Sequence, residues 1–211
     1  IDLEHPDLVC LQEVDRLVKR SSFDDQPRLL GESLNLQSNF QANVPVATET
    51  YGNLILSKWP VASAHRISLK RGKRKSRGAQ LVHIETPRGI LHLVNTHLGL
   101  DERERHWQMD YLLQHQLFQS YATLPTVIVG DFNDWRDTLG NALLESKGFR
   151  QLTTPPAQFR SFPSWLPVGG LDKIFVCKGM QSNLARVVRT SLAREASDHL
   201  PVVVDFTLSA S

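Results

Sequence analysis

The chain has 211 residues, room for one domain with a real core, and its 41% hydrophobic and 22% charged residues exclude a disordered or fibrous protein. No apolar run approaches the roughly 18 residues that cross a membrane, which excludes a helical membrane protein. The net charge of +2 is too small to name a partner, and Cys10 and Cys177 lack metal-ligand spacing, so they read as free buried thiols.

The chain opens Ile1-Asp2-Leu3, without Met or a signal peptide, and enters a buried-strand pattern almost at once. A segment upstream is therefore expected to be missing. His5-Pro6-Asp7 is a turn signal, because the residue before proline avoids helix. Residues 8–13 follow as a buried strand that ends on the carboxylate of Glu13. Residues 16–44 are polar and irregular, with a helix expected near 27–36. Residues 53–57 are a second apolar run, closed by Trp59-Pro60. Then comes a basic segment: Arg66, Lys70, Arg71, Lys73, Arg74, Lys75 and Arg77, with no acid among them. It is either a solvated loop or a clamp for phosphate oxygens.

Residues 79–85 and 90–96 alternate apolar and polar around Thr86-Pro87-Arg88-Gly89, the pattern of a hairpin. Residues 102–121 predict a helix, with Trp107, Tyr111, Gln114 or His115, and Phe118 at helical spacing and charges on the other face. Residues 126–130 are a fully apolar strand. Residues 137–147 predict a helix closed by Gly148. Residues 152–168, rich in Pro, Ser and aromatics, read as a loop. Strands are expected at 171–177 and 200–207, with a weaker one near 184–189. Many short strands with two or three helices predict an α/β protein of two packed sheets flanked by helices.

Polar groups gather at the strand ends, where a rigid scaffold aims side chains into a cleft. Glu13 ends one strand, Asn95-Thr96-His97 another, and Gly130-Asp131-Phe132-Asn133 a third; Asp172 opens a fourth and Ser197-Asp198-His199 precedes the last. Singly, each has a bland explanation: a solvated turn residue, a hydrogen-bonded structural histidine, an Asx turn or a cap. Together they form one chemical kit. Glu13, Asp131 and Asp198 are hard oxygen ligands suited to Mg²⁺ or Mn²⁺. Two histidines and an asparagine can donate to phosphate oxygens, which phosphoester hydrolysis requires.

The same segments carry a family resemblance. Leu11-Gln12-Glu13, Tyr51-Gly52-Asn53 with Leu54-Ile55-Leu56-Ser57, Asn95-Thr96-His97-Leu98, Gly130-Asp131-Phe132-Asn133, Leu171-Asp172-Lys173-Ile174-Phe175-Val176 and Ser197-Asp198-His199-Leu200-Pro201-Val202 follow in order. This ordered set resembles the endonuclease/exonuclease/phosphatase superfamily, the group that includes deoxyribonuclease I. It looks most like the small bacterial members.

The resemblance implies a four-layer α/β sandwich, two mostly antiparallel sheets flanked by helices, as one domain over residues 1–211. It also implies roles. Glu13 holds the metal, with Asp198 near it. Asp131 orients or deprotonates the attacking water, with Asn133 beside it on the phosphate. His199 acts as acid/base or phosphate donor. His97 contacts the scissile phosphate, and Asp172 pairs with it to fix its tautomer. Asn53 lies close to the cleft, and Arg77 resembles a position that touches backbone phosphate. The family pattern opens with a strand that precedes Ile1, so the chain is expected to be N-terminally truncated, with one sheet lacking a central member.

The implied activity is Mg²⁺- or Mn²⁺-dependent phosphoester hydrolysis, first as a phosphodiesterase with nucleic acid as the leading substrate class. The alternatives are a phosphomonoesterase or a phospholipid or inositol-phosphate hydrolase with the same site, and a catalytically weak binding module. The expected partner is a phosphate-ester substrate. The protein is expected to be a cytoplasmic monomer without a transmembrane segment.

Overall fold

The computed structural model of the protein describes residues 1–43, 50–140, 144–177 and 180–208. Its elements are β1 (Leu8–Arg16), α1 (Gln26–Leu34), β2 (Gln37–Ala42), β3 (Thr50–Ser57), β4 (Val61–Ser68), β5 (Gly78–Thr86), β6 (Gly89–His97), α2 (Glu102–Gln114), α3 (Gln116–Gln119), β7 (Thr126–Asp131), β8 (Phe149–Gln151), β9 (Asp172–Cys177), β10 (Gln181–Val187), α4 (Ser191–Ala196) and β11 (Val202–Thr207).

Residue type explains the local choices. α1 starts where the Asp25 side chain accepts from Arg28 N, with Pro27 in the first turn, and it stops at Asn35 in the left-handed region. α2 starts at Asp101, whose side chain accepts from Glu104 N. The 102–121 helix is broken at His115, whose extended backbone ends α2 while its ring accepts from Leu117 N to begin α3. The helix expected over 137–147 crosses residues 141–143, which lie outside the described residues. At its end, Glu145–Lys147 forms a 3-10 turn that Gly148 closes at φ 87°.

The larger sheet runs β4-β5-β6-β7-β9-β8, antiparallel except for the β6–β7 pair. A second layer holds β1-β3-β2 and the separate hairpin β10-β11. Strand alternation builds the layers. Val82, Leu93, Val127, Val129 and Val176 face Ile55, Cys10, Val204 and Phe206 between the sheets. Leu81, Val94, Ile128 and Phe175 face Met109, Leu112, Leu113 and Phe118 of the helical layer. Leu54 and Leu56 point the other way, onto Leu30 and Leu34 of α1. The result is the predicted four-layer α/β sandwich.

The helical face of α2 is not the predicted one. Glu104, Arg105, Gln108, Met109, Leu112 and Leu113 are buried, whereas Trp107 and Tyr111 stack on each other at 5.2 Å and Tyr111 is exposed. Glu104 accepts from Arg74 and Gln108, and Arg105 donates to the Leu100 carbonyl and lies 3.8 Å from the buried Asp134, which offsets part of the cost of burying each. Cys10 and Cys177 are free, and burial pushes the Cys10 thiol up to about 12. No helix among the described residues is long and apolar enough to cross a membrane.

Candidate active site

The strand ends converge on one mouth of the sandwich, and Asn95 joins the two layers there. Its side chain donates to the carbonyls of Leu11 and Leu54 and accepts from Gln12 Nε2 at 2.7 Å. Asn53 does the same from the other layer, donating to the carbonyls of Gly78 and Asn95. Asn53 is fully buried, so its donors serve the joint between the sheets, while its Oδ1 has no partner among the described residues.

Opposite Asn53, β1 is bulged. Leu11 faces Leu54 and Val14 faces Gly52, so Gln12 and Glu13 together oppose one residue. Glu13 takes φ 55°, uncommon for a residue with a side chain, and the bulge re-aims its carboxylate. Its Oε1 lies 3.2 Å from Lys75 Nζ, 3.8 Å from Arg77 Nη1 and 3.9 Å from His97 Nδ1. Arg77 is 4% exposed, and its Nε and Nη1 lack hydrogen-bond partners among the described residues. Burial lowers its pKa, against the pull of Glu13.

The register of the larger sheet sets the rest. His97 on β6 is paired with Asp131 on β7, and Asp131 with Asp172 on β9. His97 Nε2 lies 3.3 Å from Asp131 Oδ2, and Asp131 Oδ1 accepts from Asn133 N at 2.8 Å. Asn133, at φ 50°, donates its side-chain amide to the Leu98 carbonyl. His199 arrives from the loop after α4. Its Nδ1 is 2.8 Å from Asp172 Oδ2 and its Nε2 3.9 Å from Asp131 Oδ2. Ser161 Oγ donates to the same Asp172 oxygen, and the Phe162 ring packs on His199 at 4.8 Å.

Asp172 was expected to orient His97. Instead it orients His199, because the loop carrying Ser197–His199 folds back over the start of β9, whereas His97 faces the Asp131 carboxylate. Asp198, expected near the metal, lies next to His199 on the loop after α4. It is exposed, its side chain makes no hydrogen bond or ion pair among the described residues, and its charge acts on His199. Lys75, in the basic run read as a possible phosphate clamp, reaches Glu13, and the aromatic loop before Asp172 supplies Phe162 and Ser161, of which Ser161 was not singled out from sequence. Its only signal was proximity in sequence to Asp172.

The environment sets three ionisations. His97 is pushed down to about 2 by burial, then by the charges of Arg77, Lys75 and His199, so it contacts Glu13 and Asp131 as a neutral ring. Asp131 is raised to about 6 by burial and by the Asp172 charge, against His199, the Asn133 N–H and Arg77. For His199, burial pulls down, but the hydrogen bond and charge of Asp172, with the charges of Asp131 and Asp198, carry it up to about 9. A proton acceptor thus lies beside a cationic donor, two groups pushed apart by their surroundings.

The donor set can also take a cation. Glu13 is a half-exposed carboxylate, and the unpartnered Asn53 Oδ1 belongs to the residue opposite its bulge. Among the described residues no three of His, Cys, Asp and Glu form a cluster fit for a metal. That chemistry suits a hard, water-retaining ion such as Mg²⁺, which needs one or two carboxylates, and does not suit zinc.

Residues 1–199 match the model of the Endonuclease/Exonuclease/phosphatase family. The uncharacterized protein YbhP of Escherichia coli (strain K12) is 26% identical over 215 residues, covering 96% of this chain and 83% of that protein. The endonuclease/exonuclease/phosphatase from Beutenbergia cavernae DSM 12333 matches with TM-score 0.82 and 22% identity over 99% of this chain, which spans 64% of its length. The mannosyl-6-phosphatase Bt3783 of Bacteroides thetaiotaomicron VPI-5482 matches with TM-score 0.75 and 18% identity, covering 98% of this chain and 87% of that one. At these identities the structural likeness establishes the fold.

Proposed function

The chain belongs to the endonuclease/exonuclease/phosphatase family, whose members are phosphoesterases, and we propose that it is a divalent-metal-dependent phosphodiesterase whose one catalytic domain occupies residues 1–211. The observation that carries this reading is the hydrogen-bonded set Ser161–Asp172–His199 with the Asp131 carboxylate 3.9 Å from His199 and 3.3 Å from His97. Asp172 holds the His199 ring so that its charged Nε2–H donates to a phosphate oxygen as negative charge develops. Asp131, ionised at neutral pH, accepts a proton from the attacking water. His97, a neutral ring with Nε2 3.3 Å from Asp131 Oδ2, flanks that carboxylate, and His199, the Asn133 N–H and Arg77 favour its ionised form. Glu13 would hold the cation, which when bound neutralises phosphate charge. Arg77 and Lys75 add fixed positive charge on the same side.

Part of the basic segment is partnered within the chain while staying at the surface: Arg66 donates to the Asn43 carbonyl, and the exposed Arg71, Arg74 and Lys75 donate to the Arg103 carbonyl, Glu104 and Glu13. Lys70 and Lys73 are exposed with no ion pair among the described residues, and this row of exposed cations supports nucleic acid as the leading substrate class. A phosphomonoesterase is the second reading. Lys75 and Arg77 beside the site suit a dianionic monoester, and the phosphatase Bt3783 shares the fold.

Bis-p-nitrophenyl phosphate is expected to be hydrolysed faster than p-nitrophenyl phosphate with Mg²⁺ or Mn²⁺, and neither with EDTA. Glu13→Gln should raise the Mg²⁺ concentration for half-maximal rate about tenfold or more. Faster monoester turnover would favour the second reading, and an unchanged Mg²⁺ titration would remove Glu13 from the metal.

The pH profile follows from the two shifted groups. kcat/KM should rise with pH as Asp131 loses its proton near about 6 and fall as His199 loses its proton near about 9. Asp172→Asn takes away the group that holds His199 charged, so the alkaline limb should move to lower pH. A limb that stays in place in that variant would assign it to another group.

A further inference from the structure

Trp135 follows the Gly130–Asn133 segment and is 56% exposed, although its surroundings hold it in place. The buried Asp134 beside it accepts from Leu139 N and Thr138 Oγ1, which locks the turn. The Asn133 side chain is tied to Leu98. Gly169 backs the indole so closely that a Cβ there would lie 2.8 Å from the Trp135 ring. Phe162 meets Trp135 edge-on at 6.0 Å and packs on His199 with its other contact at 4.8 Å.

A single exposed apolar side chain is ordinary on a protein surface. An indole fixed by its neighbours, left half in water and joined through one ring to a catalytic-site imidazole is a different case. Indole burial is among the larger apolar gains a side chain offers, and this surface is left uncovered. Every such contact is already ordered, so a flat ring laid on the free area would cost little conformational entropy.

We propose that Trp135, backed by Gly169 and Phe162, is a stacking platform that binds a planar ring of the substrate, a nucleobase attached through its sugar to the phosphate at His199. The inference rests on the phosphoester reading of the site and gives it a specificity-determining residue. A base stacks on an aromatic side chain whatever its sequence.

The test measures binding by calorimetry in Mg²⁺, without turnover, using thymidine 5′-monophosphate, hexyl phosphate and methyl phosphate. Thymidine 5′-monophosphate should bind about tenfold to a hundredfold more tightly than methyl phosphate. Trp135→Ala should remove that advantage and leave methyl phosphate unchanged, while Trp135→Phe should keep most of it. Equal affinity for the nucleotide and methyl phosphate in the unmodified protein would overturn the proposal. So would a Trp135→Ala variant that loses both ligands equally. Preference for hexyl phosphate would also overturn it and assign the wall to a lipid chain. A protein that binds the nucleotide through Trp135 yet hydrolyses no phosphoester would sink the hydrolase reading and leave the platform standing.

Discussion

His199→Ala is expected to lower turnover by about a thousandfold or more in a protein that still folds. The side chain supplies both a positioned proton donor, worth about 10²–10⁴ in rate, and a charge aimed at the phosphate. Neither is replaced by a neighbour. His97 is neutral and already engaged with Asp131, and Arg77 lies on the Glu13 side. The stability cost is bounded by the pKa. A rise from 6.5 to about 9 corresponds to about 3 kcal/mol of favourable interaction, fully present below pH 6.5 and lost as pH rises through about 9. His199 is in none of the three core clusters, so the variant loses its ion pair with Asp172 and the Phe162 ring contact but no core packing. Steady-state kinetics beside circular dichroism decides the matter. A folded variant with wild-type turnover would remove His199 from the chemistry.

Gly130→Ala is the corresponding test of the scaffold. A Cβ at this position would lie 1.8 Å from the Thr96 carbonyl oxygen, and the backbone is at φ 144°, a region closed to alanine. The obstacle is backbone in the paired strand, so no rotamer relieves it. Moving β7 away would break the register that sets Thr96 opposite Gly130 and His97 opposite Asp131. A loss of about 4 kcal/mol or more is expected, seen as a fall in Tm of about 10 °C or more or as insoluble protein. Gly72→Ala is the control: φ is 56° there and nothing lies within 4 Å, so the cost should be about 1–2 kcal/mol. Equal Tm losses in the two variants would mean that the close approach of β6 and β7 is misplaced.

The two tests probe segments, Ser197 to His199 and Gly130 to Asn133, whose importance was legible before any coordinates. The strands that carry the site, β1, β3, β5, β6, β7 and β9, announced themselves as apolar or alternating runs because each is covered on one or both faces. Their ends carry the polar groups, so Glu13, His97, Asp131, Asp172 and His199 could be listed as candidates from residue type and position alone. The order of those motifs was enough to name the family and hence the four layers.

Other features had no local signal. β2 is Gln-Ser-Asn-Phe-Gln-Ala, a sequence with little strand character, and it is extended because β3 offers it an open ladder. β4 lies at the sheet edge and β8 has three residues, and both are strands only through their neighbours. The buried face of α2 went against hydropathy because Arg74 and the Leu100 carbonyl receive Glu104 and Arg105. Residue types and spacing therefore settled which side chains stand at the mouth of the sandwich. Which of them touch, Asp172 with His199 and His97 with Asp131, was settled by strand register and by the path of one loop, since a side chain's partner depends on distances that pass through space and not along the chain.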